Sequence, residues 1–146
     1  MSQIAELAQS ARASGNPNLL MEGIPYARLL GIRVEANGTF HLPPKKSNIG
    51  NPTLPALHGG ALGGFMEMCG ITHVMMAMEV IQVPKVVDFS IDYVRAGLFQ
   101  DTYAACEIVR FGRKLVNVSI VAWQDDAAKP IAVSYTPITL PTQSTV

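Results

Sequence analysis

The chain has 146 residues, a length that fits one compact domain with a hydrophobic core of its own. Only 15% of the residues are charged, against about 25% in an average soluble protein, so part of the surface is expected to lie against another subunit. Basic and acidic residues number 11 each, which gives neither the basic surface of a nucleic-acid-binding protein nor a charged tail for a membrane.

Residues 1–20 predict a helical lead-in to a single domain that spans the chain. Good helix formers from Ile4 to Ala13 end at a Gly-Asn-Pro triplet. The start of the chain carries Glu6 within an interrupted apolar run, so no secretory signal is predicted. Cys69 and Cys106 lack C-x-x-C spacing, and we interpret both as buried thiols of a cytoplasmic protein in a reducing compartment.

The next part of the chain predicts a first strand, a loop and a long helix. Apolar and polar residues alternate from Leu30 to Leu42 around an Asn-Gly turn, which is typical of a strand or hairpin. Residues 43–55 contain four prolines and should form an irregular loop. From Gly59 to about Val80 apolar residues recur at helical spacing, which predicts a buried helix too interrupted by polar residues to span a membrane.

The remaining sequence predicts strands, because its apolar residues recur with a period of two. They are expected at Val87–Tyr93, Thr102–Phe111, Leu115–Gln124 and Ile131–Leu140. This order indicates an α+β fold in which an antiparallel sheet, closing in a four-strand meander, packs on one central helix. A free sheet edge would be a common route to a dimer.

Glu67 is the most informative residue, because a carboxylate in so apolar a helix costs stability unless it is hydrogen-bonded or protonated. On a period of 3.6 residues, its face of the helix also carries Gly60, Gly63, Gly64 and Gly70. Each interior glycine costs a helix about 1 kcal/mol relative to alanine, so we expect this strip to leave space for substrate or a partner backbone. The alternative is a structural glutamate paired with a basic residue.

The turn His58-Gly59-Gly60 lies where the loop enters the helix. Free N–H groups and the positive end of the helix dipole would face any bound oxygen there. Glycine lets a substrate carbonyl approach the backbone closely, so this turn can serve as an oxyanion hole. Alternatively, His58 only caps the helix.

Residues 57–67, LHGGALGGFME, resemble the HGG-x6-[Asp/Glu] signature of the hotdog-fold thioesterases, specifically the phenylacetic-acid-pathway (PaaI-like) branch. Residues Tyr26–Ile32 resemble that family's entry into its first strand, and Asp88–Tyr93 resemble its second. The resemblance implies a hotdog fold, in which a curved antiparallel sheet wraps a central helix and two subunits join their sheets. It also implies hydrolysis of acyl-CoA at active sites on the interface of a homodimer or homotetramer, with coenzyme A as part of the substrate and no cofactor.

By position, the family's roles fall on the helix and its entrance. Glu67 would activate water or attack the thioester, and the Gly59 N–H would bind the thioester oxygen, while His58 would assist the carbonyl or the departing thiol. The family's upstream asparagine matches Asn51 loosely, seven positions before the histidine. The strand position that in this family often supplies a serine or threonine to orient the water falls near Val86, which leaves that role unfilled.

Arg110, Arg113 and Lys114 cluster at a predicted hairpin turn, where this family often binds the phosphates of coenzyme A. An ordinary solvated turn is the alternative. His41 and His73 are interpreted as structural, and metal-free chemistry is expected because no ligand-type neighbours stand at metal-binding spacing. Two other functions remain open: a hotdog dehydratase acting on hydroxyacyl thioesters, and a non-catalytic acyl-CoA binding protein.

Overall fold

The computed structural model describes residues 3–51, 53, 55–78 and 81–140. One long helix lies against a curved antiparallel sheet, and three shorter helices precede both in the chain. The helices are α1 (Gln3–Ser14), α2 (Asn18–Gly23), α3 (Pro25–Leu30) and α4 (Gly59–Ala77). The strands are β1 (Arg33–Val34), β2 (Phe40–Leu42), β3 (Ile49–Asn51), β4 (Ala56–Leu57), β5 (Lys85–Val86), β6 (Ile91–Tyr93), β7 (Thr102–Phe111), β8 (Leu115–Trp123) and β9 (Ala132–Thr139).

The large sheet confirms the predicted antiparallel arrangement on a central helix, but its strand order differs from the predicted meander. Its order is β1-β2-β7-β8-β9, and β5 and β6 both pair with β9 as two parts of one edge strand. The strand predicted at Val87–Tyr93 is therefore broken, and its predicted place beside β7 is wrong. That place is taken by β2, which pairs Phe40 with Ala104, so β6 joins the opposite edge of the sheet.

The N-terminal region is more helical than its alternating pattern predicts. α1 covers the predicted helix Ile4–Ala13. The predicted hairpin forms from β1 and β2, which pair Val34 with Phe40, but its first strand is limited to Arg33–Val34. α3 precedes that strand because Pro25 stands in its first turn and Gly31, with φ 86°, ends it in the left-handed conformation. Within the predicted loop, β3 pairs with β4 in a small sheet that leads directly into α4.

Helix α4 is covered on two sides, which explains how so apolar a segment is stable. It contacts β7, β8 and β9 on one side and the N-terminal helices α1 and α3 on the other. Burial of apolar surface on both sides is the main favourable contribution to this arrangement. None of the described helices is both long and apolar enough to cross a membrane. The largest fully buried side chains of this core include Phe65, Met66, Val74, Met75, Val116, Val118, Ile120 and Ile138.

Arg12 fastens α1 to the end of α4. Its guanidinium donates hydrogen bonds to the carbonyl oxygens of Met75 and Met76, at 3.0 and 2.9 Å, and to that of Met78. The last carbonyl oxygens of a helix lack hydrogen-bond donors within the helix and form the negative end of its dipole. A cationic donor such as Arg12 supplies the missing hydrogen bonds and is attracted by the dipole. Close packing of α1 is possible because its buried face consists of small residues. These are Ala5, Ala8 and Ala11.

We expect Arg12→Ala to lower the free energy of unfolding by about 1–3 kcal/mol, because it removes charge-assisted hydrogen bonds to helix carbonyls. Arg33→Ala is the matched control, since Arg33 forms a surface ion pair with Glu22 at 3.0 Å and both side chains are about half exposed. Such pairs contribute less than about 1 kcal/mol. Urea denaturation followed by circular dichroism measures both variants, and equal losses would show that Arg12 acts only as a surface charge.

Candidate active site

The two residues around the start of α4, Leu57 and His58, are held by backbone hydrogen bonds to an earlier and a later segment of the chain. The N–H of His58 donates to the carbonyl oxygen of Asn48 at 2.7 Å, and the N–H of Leu57 donates to that of Gly97 at 2.8 Å. Asn48 is itself buried, and its side-chain amide donates to the Leu30 carbonyl at 3.1 Å. Backbone from three separate segments therefore fixes the direction in which the helix begins.

His58 caps the helix, as one of the two sequence interpretations proposed. Its backbone is extended, with φ −63° and ψ 130°, and its Nδ1 accepts a hydrogen bond from the N–H of Gly60 at 2.9 Å. In a neutral imidazole whose Nδ1 accepts, the proton resides on Nε2. The ring therefore presents a hydrogen-bond donor on its outer, exposed side.

Gly59 keeps a free donor at the helix entrance. Among the described residues no group accepts a hydrogen bond from its N–H, whereas its carbonyl accepts one from the hydroxyl of Tyr93 at 2.7 Å. A cavity of about 410 Å³ opens at this point, with Leu57, Leu62 and Tyr93 in its wall and Arg95 also lining it. A free N–H beside such a cavity can bind a carbonyl oxygen of a ligand.

Glu67 lies in the middle of α4 and is partly buried. In the described part of the chain it forms no hydrogen bond and no ion pair, so the structural alternative of a paired glutamate finds no partner there. A partly buried carboxylate without a partner remains free to accept a proton or a hydrogen bond from a ligand.

The predicted open strip of glycines beside Glu67 is wrong, because protein side chains cover these positions. A Cβ at Gly63 would lie 3.6 Å from both the Phe89 ring and the Tyr93 hydroxyl, and a Cβ at Gly64 would overlap the Tyr26 hydroxyl. The ring of His58 covers Gly60, and Ile120 and Ile138 of the sheet cover Gly70. The glycines thus allow close packing of aromatic and aliphatic side chains, and the binding role of Gly60, Gly63 and Gly64 stays a prediction.

The basic turn lies far from the helix entrance within one chain. Arg110, Arg113 and Lys114 line a groove of about 360 Å³ at the β7–β8 hairpin, beside the end of β9 that pairs with β5. The entrance of α4 lies at the other end, where Tyr93 pairs with Ala132. Seven residues of β8 separate the two ends, roughly 23 Å at about 3.3 Å per residue.

Asn51 takes part in the small sheet through its backbone, which pairs with Ala56. Its side chain lies outside the described part of the structure, so its catalytic role stays a prediction. Val86 pairs with Ile138 in β5. No hydroxyl side chain stands at that position to orient water.

The remaining candidate groups lie outside this site. Burial raises the pKa of the Cys106 thiol to about 12. Burial also raises the pKa of the Cys69 thiol, and the nearby Cys106 raises it further. Both thiols are therefore neutral near pH 7 and poor nucleophiles. Burial lowers the pKa of His73. His41 bonds to Asp101 at 2.7 Å and stacks on Tyr103. Within the described residues no three His, Cys, Asp or Glu side chains are grouped to hold a metal ion.

Four residues around the site were not identified from the sequence as parts of it. Tyr26 and Phe89 cover the glycines next to Glu67, Tyr93 bonds to Gly59, and Arg95 lines the adjacent cavity. All four are distant from the helix in sequence, and their local patterns indicate only a strand and its approach. For Tyr26, Phe89 and Tyr93 the single available signal was the resemblance of their segments to the family's first and second strands, and Arg95 lies outside both segments.

Comparison with known proteins identifies the family to which this geometry belongs. The model of the thioesterase superfamily matches residues 54–131, more than half of the chain. No curated protein is significantly similar to the chain in sequence. Among solved structures, a protein of Chromobacterium violaceum is 36% identical with a TM-score of 0.75, and the match covers 93% of this chain and 97% of that one.

Two more distant structures share the fold. The PaaI protein from the phenylacetic acid degradation operon of E. coli is 15% identical, with a TM-score of 0.75 over 93% of this chain and 96% of its own. A Bacillus halodurans protein with CoA is 18% identical, with a TM-score of 0.72 over 93% of this chain and 87% of its own. The predicted hotdog fold is confirmed, and the chain belongs to the thioesterase superfamily.

Proposed function

We propose that this protein hydrolyses acyl-CoA thioesters to the free acid and CoA, with Glu67 as general base or nucleophile and the Gly59 N–H as oxyanion donor. The proposal is supported above all by two groups of α4 that have no hydrogen-bond partner among the described residues: the partly buried Glu67 carboxylate and the Gly59 N–H at the helix entrance. A water or carboxylate oxygen attacks the thioester carbon, and the carbonyl oxygen gains negative charge, which the N–H and the helix dipole stabilise. The Nε2–H of His58 supports the departing thiolate as a hydrogen-bond donor.

A single chain does not bring Glu67 and Gly59 to one reacting atom. They are eight residues apart on a helix, about 12 Å at 1.5 Å per residue. A general base and an oxyanion donor must each lie about 3 Å from the reacting groups. A second subunit would bring these groups together. Gly63 lies midway between Gly59 and Glu67, so a two-fold axis at the level of Gly63 would place the Glu67 of an antiparallel partner helix beside Gly59.

The free sheet edge lies at that level. Phe89 stands between β5 and β6 on the edge strand, and its ring lies opposite Gly63, where an added Cβ would be 3.6 Å from it. Antiparallel pairing of two such edges about Phe89 joins the two sheets and sets the two helices antiparallel at the level of Gly63. The two-fold rotation that relates the two subunits also places the basic hairpin of the partner subunit at the end of the sheet where α4 begins. These relations support a homodimer with two shared sites, of which two copies could form a homotetramer.

Glu67→Gln should lower kcat for acyl-CoA hydrolysis by at least about 100-fold, because glutamine retains the size of the side chain but cannot accept a proton. The variant should unfold at the same or a higher temperature, since a partly buried charge is removed. Release of free thiol from short, medium and aromatic acyl-CoAs measures the activity, and calorimetry measures the stability. Normal turnover combined with a markedly lower melting temperature would identify Glu67 as a packing residue.

Gly59→Pro should lower kcat by about 100–1,000-fold, because it removes the N–H donor. Proline is well tolerated at the first position of a helix, and the extended backbone of His58 suits a following proline. Gly59→Ala is the matched control, which retains the N–H and should lose less than about 10-fold. Equal losses in the two variants would assign the effect to bulk at this position.

Mixed dimers test whether the sites are shared. Refolding equal amounts of Glu67→Gln and Gly59→Pro subunits together should restore about a quarter of the wild-type activity, because half of the dimers are mixed and each mixed dimer holds one intact site. The separately refolded variants provide the baseline. No recovery in a mixture that contains mixed dimers would place each site within one chain.

Arg113→Ala should raise KM for CoA thioesters with little change in kcat, because a remote phosphate contact acts equally on ground and transition states. The effect should weaken with added salt. Arg33→Ala is the control for loss of a surface charge, since Arg33 pairs with Glu22 and lies in β1, which joins the sheet through β2 at the end of β7 opposite the hairpin. An unchanged KM at every salt concentration would make this hairpin an ordinary solvated turn.

A further inference from the structure

The peptide unit between Gly59 and Gly60 is held at both of its polar ends. The Tyr93 hydroxyl donates to the Gly59 carbonyl at 2.7 Å, and the Gly60 N–H donates to Nδ1 of His58 at 2.9 Å. Two successive glycines have more backbone freedom than any other pair of residues. Both glycines already lie in the first turn of α4, so these two side-chain hydrogen bonds add a further restraint to this peptide.

The peptide unit before Gly59 adjoins an equally restrained segment. The N–H of His58 donates to Asn48 at 2.7 Å, and the N–H of Leu57 donates to Gly97 at 2.8 Å. The free N–H of Gly59 thus lies between a segment fixed by backbone contacts and a peptide fixed by side chains. A donor that is fixed before substrate arrives stabilises an oxyanion without having to reorient during the reaction.

Tyr93 reaches this peptide from the sheet. It pairs with Ala132 in the register of β6 and β9, which sets its position independently of the helix. Its hydroxyl approaches α4 over two glycines, since a Cβ at Gly59 would lie 3.4 Å from that oxygen and a Cβ at Gly63 would lie 3.6 Å from it. A Cβ at either position would be in ordinary van der Waals contact with this oxygen, so the hydroxyl lies close against the helix backbone and an alanine would still fit there.

We infer that Tyr93 is a positioning residue for the oxyanion donor: by holding the Gly59 carbonyl it restrains the backbone dihedral angles of Gly59 and thereby the orientation of the preceding peptide unit, whose Gly59 N–H binds the thioester oxygen. This inference rests on the proposed function. It assigns a catalytic consequence to a tyrosine of the edge strand that lies 34 positions from the glycine it restrains.

Tyr93→Phe tests the inference, because it retains the ring and removes only the hydroxyl. We expect kcat to fall about 10-fold, with KM changed less than about 2-fold, which is a smaller loss than removal of the donor itself. Tyr135→Phe is the matched control, since Tyr135 is 51% exposed and its hydroxyl has no hydrogen-bond partner among the described residues. In the Gly59→Pro background, Tyr93→Phe should cause no further loss, because the donor it positions is already absent. A full additional loss there would overturn the inference in favour of a general structural role.

A second measurement does not depend on catalysis. In protein labelled with 15N-glycine, the Gly60 amide should exchange with solvent at least about 5-fold faster in Tyr93→Phe than in the wild type or in Tyr135→Phe. Unchanged exchange together with unchanged kcat would overturn the inference. Should the wild-type protein hydrolyse no acyl-CoA, the proposed function fails, and the exchange rate alone then decides whether Tyr93 restrains this peptide.

Discussion

The structure depends on the need to cover a helix that has no polar side. The residues of α4 are apolar around its whole circumference, apart from Glu67, Thr72 and His73, so the helix is stable only when other elements surround it. The sheet covers one side and the N-terminal helices cover another. What these elements leave only half-buried is a stripe of α4 that carries Gly64, Glu67 and Ile71. The location of the carboxylate is thus the place where coverage by the chain's own elements ends.

The same constraint explains the use of glycine in α4. Each glycine that faces a neighbouring element lets one side chain approach the helix axis more closely than any other residue would permit. Gly70 receives Ile120 and Ile138 of the sheet, and Gly64 receives Tyr26. The loss of helix propensity at these positions is offset by tighter packing. A glycine-rich helix in this protein is therefore a device for tertiary contact, and substrate access has to be argued from other features.

Much of the fold could be predicted from periodicity, because the relevant information is local. The limits of α4, β7 and β8 follow from repeats of 3.6 and two residues within each segment. The interruption between β5 and β6 and their pairing with β9 could not be predicted in this way. Alternation of apolar residues shows that a segment has two faces, but it contains no information about which strand lies beside it.

The residues of the candidate site also fall into two groups, those that local sequence predicts and those that depend on how distant strands pair. The Glu67 carboxylate and the His58 cap were predictable, because a charge in an apolar helix and a histidine before two glycines are visible in a short window of sequence. The Tyr93 contact depends on the register of β6 against β9, which no local pattern defines. The basic cluster at Arg113 was predictable as a cluster, but its position at the far end of the sheet follows only from the strand order.

The hydrogen bonds of Arg12 have a consequence for synthesis of the chain. They join residues 63, 64 and 66 positions apart, so α1 leaves the ribosome long before the helix end that it caps. The pairing of β2 with β7 likewise waits for residues about 60 positions later. During that interval α1 and β2 can contact their near neighbours α2 and β1, but they lack the native contacts that α4 and β7 supply. Translation of this chain therefore includes a period in which these early segments are exposed, and a slower elongation rate would lengthen that period.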